Sequence, residues 1–153
     1  MRNKQKLIVE QLNQKLQPFF QTRDVPIPVY GWINTIRTAL NMTMAQLGRK
    51  LNITRQGVKR IEESEASGTI TINSMKKVAQ AMDLKFVYAL IPRDGSINDL
   101  IEVKANKLAR KIVLRTHQNM KLEDQAVDDE KIKKTINQLT DEIKQEMRRS
   151  LWD

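Results

Sequence analysis

The sequence has no cysteine, a single histidine and few aromatic side chains. Without cysteine, the chain can form neither a disulfide nor a thiolate metal site, as is common in a reducing compartment. No apolar run approaches the roughly 18 residues that a membrane-spanning helix needs. The longest uninterrupted apolar run near the basic N-terminus is residues 7–9, which is too short for a signal peptide. These absences predict a soluble, cytoplasmic protein that does not act at a membrane.

Patterns of catalytic and metal-binding residues are equally scarce. Neither a G-x-G-x-x-G nor a Walker sequence occurs. The lone His117 has no acidic or cysteine neighbour at ligand spacing, so we interpret it as an ordinary helical residue. The adjacent acids Asp128, Asp129 and Glu130 cannot converge on one metal ion and are typical of a helix start. We therefore expect no enzymatic activity, no metal and no cofactor.

Positive charge dominates and is unevenly distributed along the chain. The formal net charge is +9. Residues 1–96 hold 15 Lys and Arg against 7 Asp and Glu, whereas residues 121–153 hold 7 against 9. Such a concentration favours binding to a polyanion, but it also suits a solvated protein surface. Charge alone leaves both interpretations open.

Two short helical patterns joined by a turn occupy residues 43–62. Thr43 and Gln46 have the spacing of a capping box, which predicts a helix that begins at Met44. Asn52 tolerates positive φ and marks a reversal of the chain, and Thr54 offers a second N-cap oxygen. The sequence therefore predicts a helix, a tight turn and a second helix.

The second helix of this pair has a basic outer face. Val58 and Ile61 are spaced to face inward, which leaves four side chains facing outward: Arg55, Gln56, Lys59 and Arg60. In the first helix, Gly48 is expected to let a neighbouring helix approach closely. The outward face is a candidate binding surface, and a solvated face is the alternative.

The pattern T-x-A-x-L-G-x-x-L-x-I-T-x-x-x-V-x-x-I-E of residues 43–62 resembles the lambda-repressor-like, or XRE/Cro/CI-type, helix-turn-helix domains. The resemblance extends over about residues 29–84. It implies that helix 54–64 enters the DNA major groove and that outward residues near its start read base edges. Carried over to this sequence, the implied DNA-binding residues are Thr43, Met44, Gln46, Thr54, Arg55, Gln56, Gly57, Lys59 and Arg60.

Within this set the resemblance implies distinct roles. Arg55 and Gln56 lead as base readers, since arginine can bond bidentately to guanine and glutamine to adenine. Lys59 and Arg60 reach bases or phosphate, and Gly57 leaves the backbone close to the groove. Phosphate contacts come from the start of the preceding helix, at Thr43, Met44 and Gln46.

Two segments outside the motif, GWINTIRTALNMT and DLKFVYALIPRDG, are also similar to the bacterial mobile mystery protein A family. That resemblance implies a companion protein with a Fic domain. An antitoxin or protein-interaction module that binds such a partner is therefore the alternative to a transcriptional regulator. The S/T-x-x-x-E-G/N motif of well-known Fic antitoxins is missing, because no Ser or Thr has Glu four residues later.

The expected fold is mainly α, a lambda-repressor-like domain with one short β-strand and added N- and C-terminal helices. We divide the chain into an N-terminal helix and proline connector (1–28), the helix-turn-helix domain (29–84), a strand and turn (85–95) and a C-terminal helical hairpin (96–153). Pro18 is expected to end the first helix near Leu16 or Gln17. Trp32 is expected in the core, and residues 64–69 are expected to form a loop.

The expected strand spans residues 84–91, which are apolar on both alternating faces and rich in aromatic and β-branched side chains. A lone strand leaves its backbone groups unpaired and needs a partner. We therefore predict that two copies pair across a twofold axis, with the C-terminal helices as another possible contact. The expected dimerisation residues are Phe86, Val87, Tyr88, Ala89, Leu90 and Ile91. Such a dimer fits a repressor of its own operon that binds an inverted repeat in double-stranded DNA.

Overall fold

The computed structural model describes residues 2–122 and 129–153, and within them the fold is mainly α-helical. The chain divides into two compact units, one formed by residues 24–88 and the other by residues 1–23 together with 89–153. The elements of the described residues are α1 (Arg2–Phe20), α2 (Gly31–Ala39), α3 (Met44–Leu51), α4 (Arg55–Ser67), α5 (Ile72–Ala81), α6 (Ile97–Leu122), α7 (Asp129–Glu146) and a 3-10 helix (Arg149–Trp152).

Helices α2 to α5 of the 24–88 unit share one small core. Each contributes apolar side chains at helical spacing, and the buried set is Ile33, Leu47, Val58, Val78 and Met82. Leu47 and Val58 are fully buried and lie on the two helices of the predicted motif. Burying side chains of this size contributes about 1.5 to 3 kcal/mol each, so this core fixes how α3 packs on α4.

Helix α2 is shorter than its apolar stripe suggests, and it buries different residues. Its buried positions include Ile33 and Arg37, whereas Trp32 is 40% exposed. The prediction that Trp32 is a core residue is therefore wrong. An arginine occupies the interior because it has charged and polar partners there, which are described below with the site.

Residues 85–91 form no β-strand, so the predicted strand is not found. The backbone of this segment forms no backbone–backbone hydrogen bond with any other described residue. A strand exists only with a second strand beside it, and no other extended segment of the described chain pairs with this one. The side chains instead remain largely exposed, with Val87 at 61% and Leu90 at 91%, and the rings of Phe86 and Tyr88 stack at 5.5 Å.

In the unit of residues 1–23 and 89–153, α6 and α7 form an antiparallel pair. Glu102 lies near Lys144, and Asn106 lies near Thr140. Residue numbers therefore increase along one helix in the direction in which they decrease along the other. Their shared core contains Ala105, Ala109, Ile136, Ile143 and Leu151. The described part of helix α7 carries Asp129 and Glu130 in its first turn, and Asp128 lies outside the described residues.

Helix α1 packs against α6 and continues past its proline. The side chain of Asn13 accepts a hydrogen bond from the Ile97 amide at 2.9 Å. Pro18 lies inside the helix, which ends at Phe20, so the expected stop near Leu16 is wrong. A proline this close to a helix end removes only one intrahelical hydrogen bond, and the helix tolerates that loss. No helix in the described ranges is long and apolar enough to cross a membrane.

Candidate nucleic-acid interface

The first helix of the motif begins with the predicted capping box. The Thr43 hydroxyl accepts the Gln46 amide hydrogen at 3.0 Å, and Gln46 Oε1 accepts the Thr43 amide hydrogen at 2.8 Å. The Gln46 NH2 group keeps its two donors for an outside partner. Both side chains are exposed, whereas the Met44 side chain packs partly against the core. Met44 can therefore offer a ligand its backbone amide at the positive end of α3.

The turn between α3 and α4 is as tight as the sequence predicts. Asn52 adopts the left-handed conformation with φ 56°, and the Ile53 amide bonds to the Gly48 carbonyl at 2.9 Å. A Cβ on Gly48 would lie 2.7 Å from the Ile53 carbonyl oxygen. The same Cβ would lie 3.4 Å from the backbone of Thr54, the N-cap residue of α4, so the glycine makes room for the turn and for the start of the neighbouring helix, as expected.

The second helix, α4, begins where Thr54 caps it. The Thr54 hydroxyl accepts the Gly57 amide hydrogen at 3.0 Å, and the amide groups of Arg55 and Gln56 have no intrahelical partner at this terminus. A Cβ on Gly57 would lie 3.2 Å from the Ile53 side chain. This contact explains the glycine by packing inside the motif, alongside the predicted approach to DNA.

The outward face of α4 is basic and free of internal ion pairs. Arg55, Gln56, Lys59 and Arg60 are all exposed, and Val58 beneath them is fully buried. Within residues 2–122 and 129–153, no carboxylate forms a salt bridge with Arg55, Lys59 or Arg60. Pairing with the acids at positions 62 and 63, which would favour a merely solvated face, is not found there. The three cations are available to an outside polyanion.

Glu62 turns to the opposite side of α4 and enters the core. Its carboxylate accepts hydrogen bonds from Arg37 Nε at 2.5 Å and from Arg37 Nη2 at 3.2 Å, and a third from the Asn34 side chain at 3.0 Å. The remaining Arg37 nitrogen, Nη1, donates to the Met42 carbonyl at 2.8 Å. A buried ion pair is tolerated when further hydrogen bonds satisfy both groups, as they do here. The pair ties α4 to α2 and to the segment just before α3.

Glu65, one turn later, caps helix α2. Its two carboxylate oxygens accept the amide hydrogens of Trp32 and Ile33, each at 2.8 Å. Tyr30, at the N-cap position, makes no side-chain cap, so a residue from another helix supplies it. The expectation of a loop at residues 64–69 is wrong, because α4 continues to Ser67 and ends at Gly68 in the left-handed conformation.

These supporting residues escaped the sequence interpretation. Arg37 lies next to the apolar stripe of its helix, and a buried arginine is almost always paired with an acidic residue. Its place in the sequence could therefore have indicated a buried ion pair. Arg49 and Lys50 at the end of α3 were also passed over. They are exposed beside Gln46, in an open groove of about 570 Å³, and add two cations near the predicted phosphate-contacting residues.

Among known proteins, residues 33–88 match the family model HTH_3, described as helix-turn-helix. No curated protein and no solved structure matches the chain significantly. The matched segment contains all but the first two residues of α2, the helices α3 to α5, the capped turn and the basic face of α4. The match covers less than half of the chain and identifies residues 33–88 as a helix-turn-helix domain of the XRE/Cro/CI type.

Proposed function

We propose that this protein is a sequence-specific regulator of transcription that binds double-stranded DNA as a dimer and represses its own operon. It places the N-terminal half of α4 in the major groove. The observation that carries this proposal is the exposed face of Arg55, Gln56, Lys59 and Arg60, which has no internal counter-charge in the described chain. We propose a binding role without catalysis.

The same helix supplies both the reading face and its support. Its outward residues face solvent. On the inward side, Glu62 accepts two hydrogen bonds from the Arg37 side chain of α2. Glu65 accepts two more from backbone amides at the start of α2. Rigid presentation favours specificity, because a side chain that makes a bidentate contact with a base edge must be held in register. Phosphate contacts from Thr43, Met44 and Gln46 at the start of α3 would fix that register on the duplex.

We propose a second copy of this chain as the dimer partner. The apolar segment 85–91 exposes Val87, Tyr88 and Leu90, and its backbone has no partner in the described part of one chain. Phe86 and Val87 also line an apolar cavity of about 270 Å³ in the 24–88 unit. A twofold copy would cover these side chains and pair the backbone groups. It would also present two α4 helices to half-sites roughly 34 Å apart, in an inverted repeat.

Selection of bound duplexes from a random pool, with the full-length protein, tests the proposal directly. We expect an inverted repeat to emerge and to bind at least about a thousandfold more tightly than random duplex. Inserting 5 base pairs between its halves turns one site to the opposite side of the duplex and should abolish tight binding. Recovery of no preferred sequence would contradict specific readout.

The proposed antitoxin role with a Fic-domain partner draws on sequence resemblance alone. Within the described residues, no contact or charge arrangement favours it over a regulator. If the selected site lies in the promoter of the protein's own gene and the protein lowers transcription from it, autoregulation is supported. Activation from that promoter would instead overturn the repressor part of the proposal and leave the DNA-binding part intact.

A further inference from the structure

A cleft of about 570 Å³ lies in the unit formed by residues 1–23 and 89–153. Residues of α1, of the first turns of α6 and of the C-terminal end of α7 line it. This cleft belongs to neither the basic face of α4 nor the exposed segment 85–91. Its size falls within the range of about 300 to 1,000 Å³ that is common for small-molecule sites.

The base of the cleft is apolar. Val9 of α1 and Ile101 of α6 line it and are only 8% and 6% exposed. Met147 lines it as well, at the point where the chain leaves α7 with a φ of 47°. This left-handed backbone conformation is uncommon for residues other than glycine. A thioether adapts to ligands of varied shape, so the base suits an apolar group.

The walls carry an excess of positive charge. Lys6 comes from α1 and Lys144 from α7, and Glu102 is the carboxylate that also lines the cleft. Lys144 Nζ lies 3.6 Å from Glu102, in a loose and partly exposed ion pair. Such a pair contributes little to stability, so a competing anion can replace it at low cost. No salt bridge within the described ranges involves Lys6.

The lining of the cleft is short along α1 and suits a small molecule. The wall residues of α1 run from Asn3 to Val9, which is about 9 Å along a helix axis. Three amide side chains, those of Asn3, Asn98 and Gln145, also line the cleft and add neutral donors and acceptors. An apolar base, two ammonium groups and a short length together describe a site for a small amphipathic anion.

We propose that this cleft binds a small organic carboxylate with an apolar body. The carboxylate lies between the ammonium groups of Lys6 and Lys144, and the apolar body rests on Val9 and Ile101. Glu102 loses its cation when the ligand binds and turns to solvent, where its side chain is already 59% exposed. The selectivity is for a negative head group, because a positive one would be repelled by both ammonium groups.

Calorimetric titration of the full-length protein with octanoate, octanol and octylamine tests this proposal. We expect octanoate to bind with a Kd below roughly 1 mM, and octanol and octylamine to bind at least about tenfold more weakly. The double substitution Lys6→Ala with Lys144→Ala should weaken octanoate by at least about tenfold. The matched control, Lys15→Ala with Lys133→Ala, removes two exposed charges from the same two helices outside the cleft and should leave the affinity unchanged.

Several outcomes would overturn the proposal. Binding of octanol as tight as that of octanoate would show that the lysines do not select an anion. An equal loss of octanoate affinity in the control variant would mean that the affinity depends on the net charge of the protein and not on the two lysines of the cleft. Absence of octanoate binding at roughly 1 mM would also refute it. Amide chemical shifts of Val9 and Ile101 on titration locate the ligand independently of the variants, and no change at either residue would count against the site.

Discussion

The guanidinium of Arg37 donates two hydrogen bonds to the Glu62 carboxylate, and both side chains are buried. This contact joins α2 to the helix that carries the basic face. Removing two charges from water is costly, but Asn34 and the Met42 carbonyl satisfy the donors and acceptors that remain. The pair therefore orients α4 more than it adds net stability.

Truncating one partner of this pair should be severely destabilising. Arg37→Ala leaves the Glu62 carboxylate buried without its cation, and we expect a loss of about 3 to 5 kcal/mol in the free energy of unfolding. Urea unfolding followed by circular dichroism measures it. Arg49→Ala is the control, because it removes an exposed arginine of α3 and should change stability by no more than about 0.5 kcal/mol.

A double substitution separates the loss of the pair from the stranding of one charge. Arg37→Met with Glu62→Leu removes both charges and keeps apolar volume in the core, so it should be less destabilising than Arg37→Ala alone. If the double variant were the less stable of the two, net attraction between the charges would dominate, contrary to our interpretation.

Two glycines with positive φ allow the Glu65 cap to be tested against backbone strain. Gly31 and Gly68 have φ of 83° and 81°, so alanine is strained at both. Only at Gly31 would the new Cβ meet another group, 2.6 Å from Glu65 Oε1. Gly31→Ala should therefore cost about 0.5 to 2 kcal/mol more than Gly68→Ala, as expected for a displaced helix cap. Equal losses in the free energy of unfolding would show that the new Cβ does not disrupt the Glu65 cap.

Local signals made the centre of the motif predictable from sequence. Thr43 with Gln46, Asn52 and Thr54 act on neighbours within three residues, and all of them adopt the expected caps and turn. Such contacts depend on the chain nearby and little on tertiary structure. The match of residues 33–88 to the helix-turn-helix model agrees with that interpretation.

Long-range contacts account for the predictions that were wrong. Arg37 and Glu62 are 25 positions apart, and the residues around each of them do not indicate that the two side chains pair. Small and polar residues at 64–69 favoured a loop, but Glu65 bonds to α2 and the helix continues to Ser67. The segment 85–91 has strand-like composition, and yet a strand also needs a backbone partner that the described chain does not offer.

The outward residues of α4 should separate into base readers and phosphate contacts. Arg55→Ala should weaken the selected duplex by about 1 to 3 kcal/mol and relax sequence preference, whereas Lys59→Ala should weaken all duplexes alike. Fluorescence anisotropy with selected and random duplexes measures both effects. Lys76→Ala removes an exposed charge from α5 in the same unit and serves as the control. Equal losses on both duplexes for Arg55→Ala would exclude a base-reading role.

The proposed dimer contact should be sensitive to charge at one exposed ring. Tyr88→Glu places a carboxylate in the apolar segment 85–91, where two copies would bring like charges together and bury them. We expect sedimentation velocity to show a monomer for this variant and a dimer for the unmodified chain. Tyr30→Glu is the matched control at another exposed tyrosine. A monomeric unmodified chain would remove the basis for the dimer.

The start of α6 should lose stability in acid because of one carboxylate. The Asp99 side chain accepts the Ser96 amide hydrogen at 2.7 Å, and this bond, with a second from the Ser96 hydroxyl, lowers the pKa of Asp99. A carboxyl whose pKa is lower in the folded state stabilises the fold above its unfolded pKa, and the contribution disappears as pH falls through the folded value. Asp99→Asn should therefore be less stable than the unmodified protein near neutral pH, and the difference should shrink as the pH falls below about 4. Urea unfolding across that range measures the difference, with Asp94→Asn in the preceding turn as the control. A difference that stays constant with pH would mean that the Asp99 charge does not stabilise this helix start.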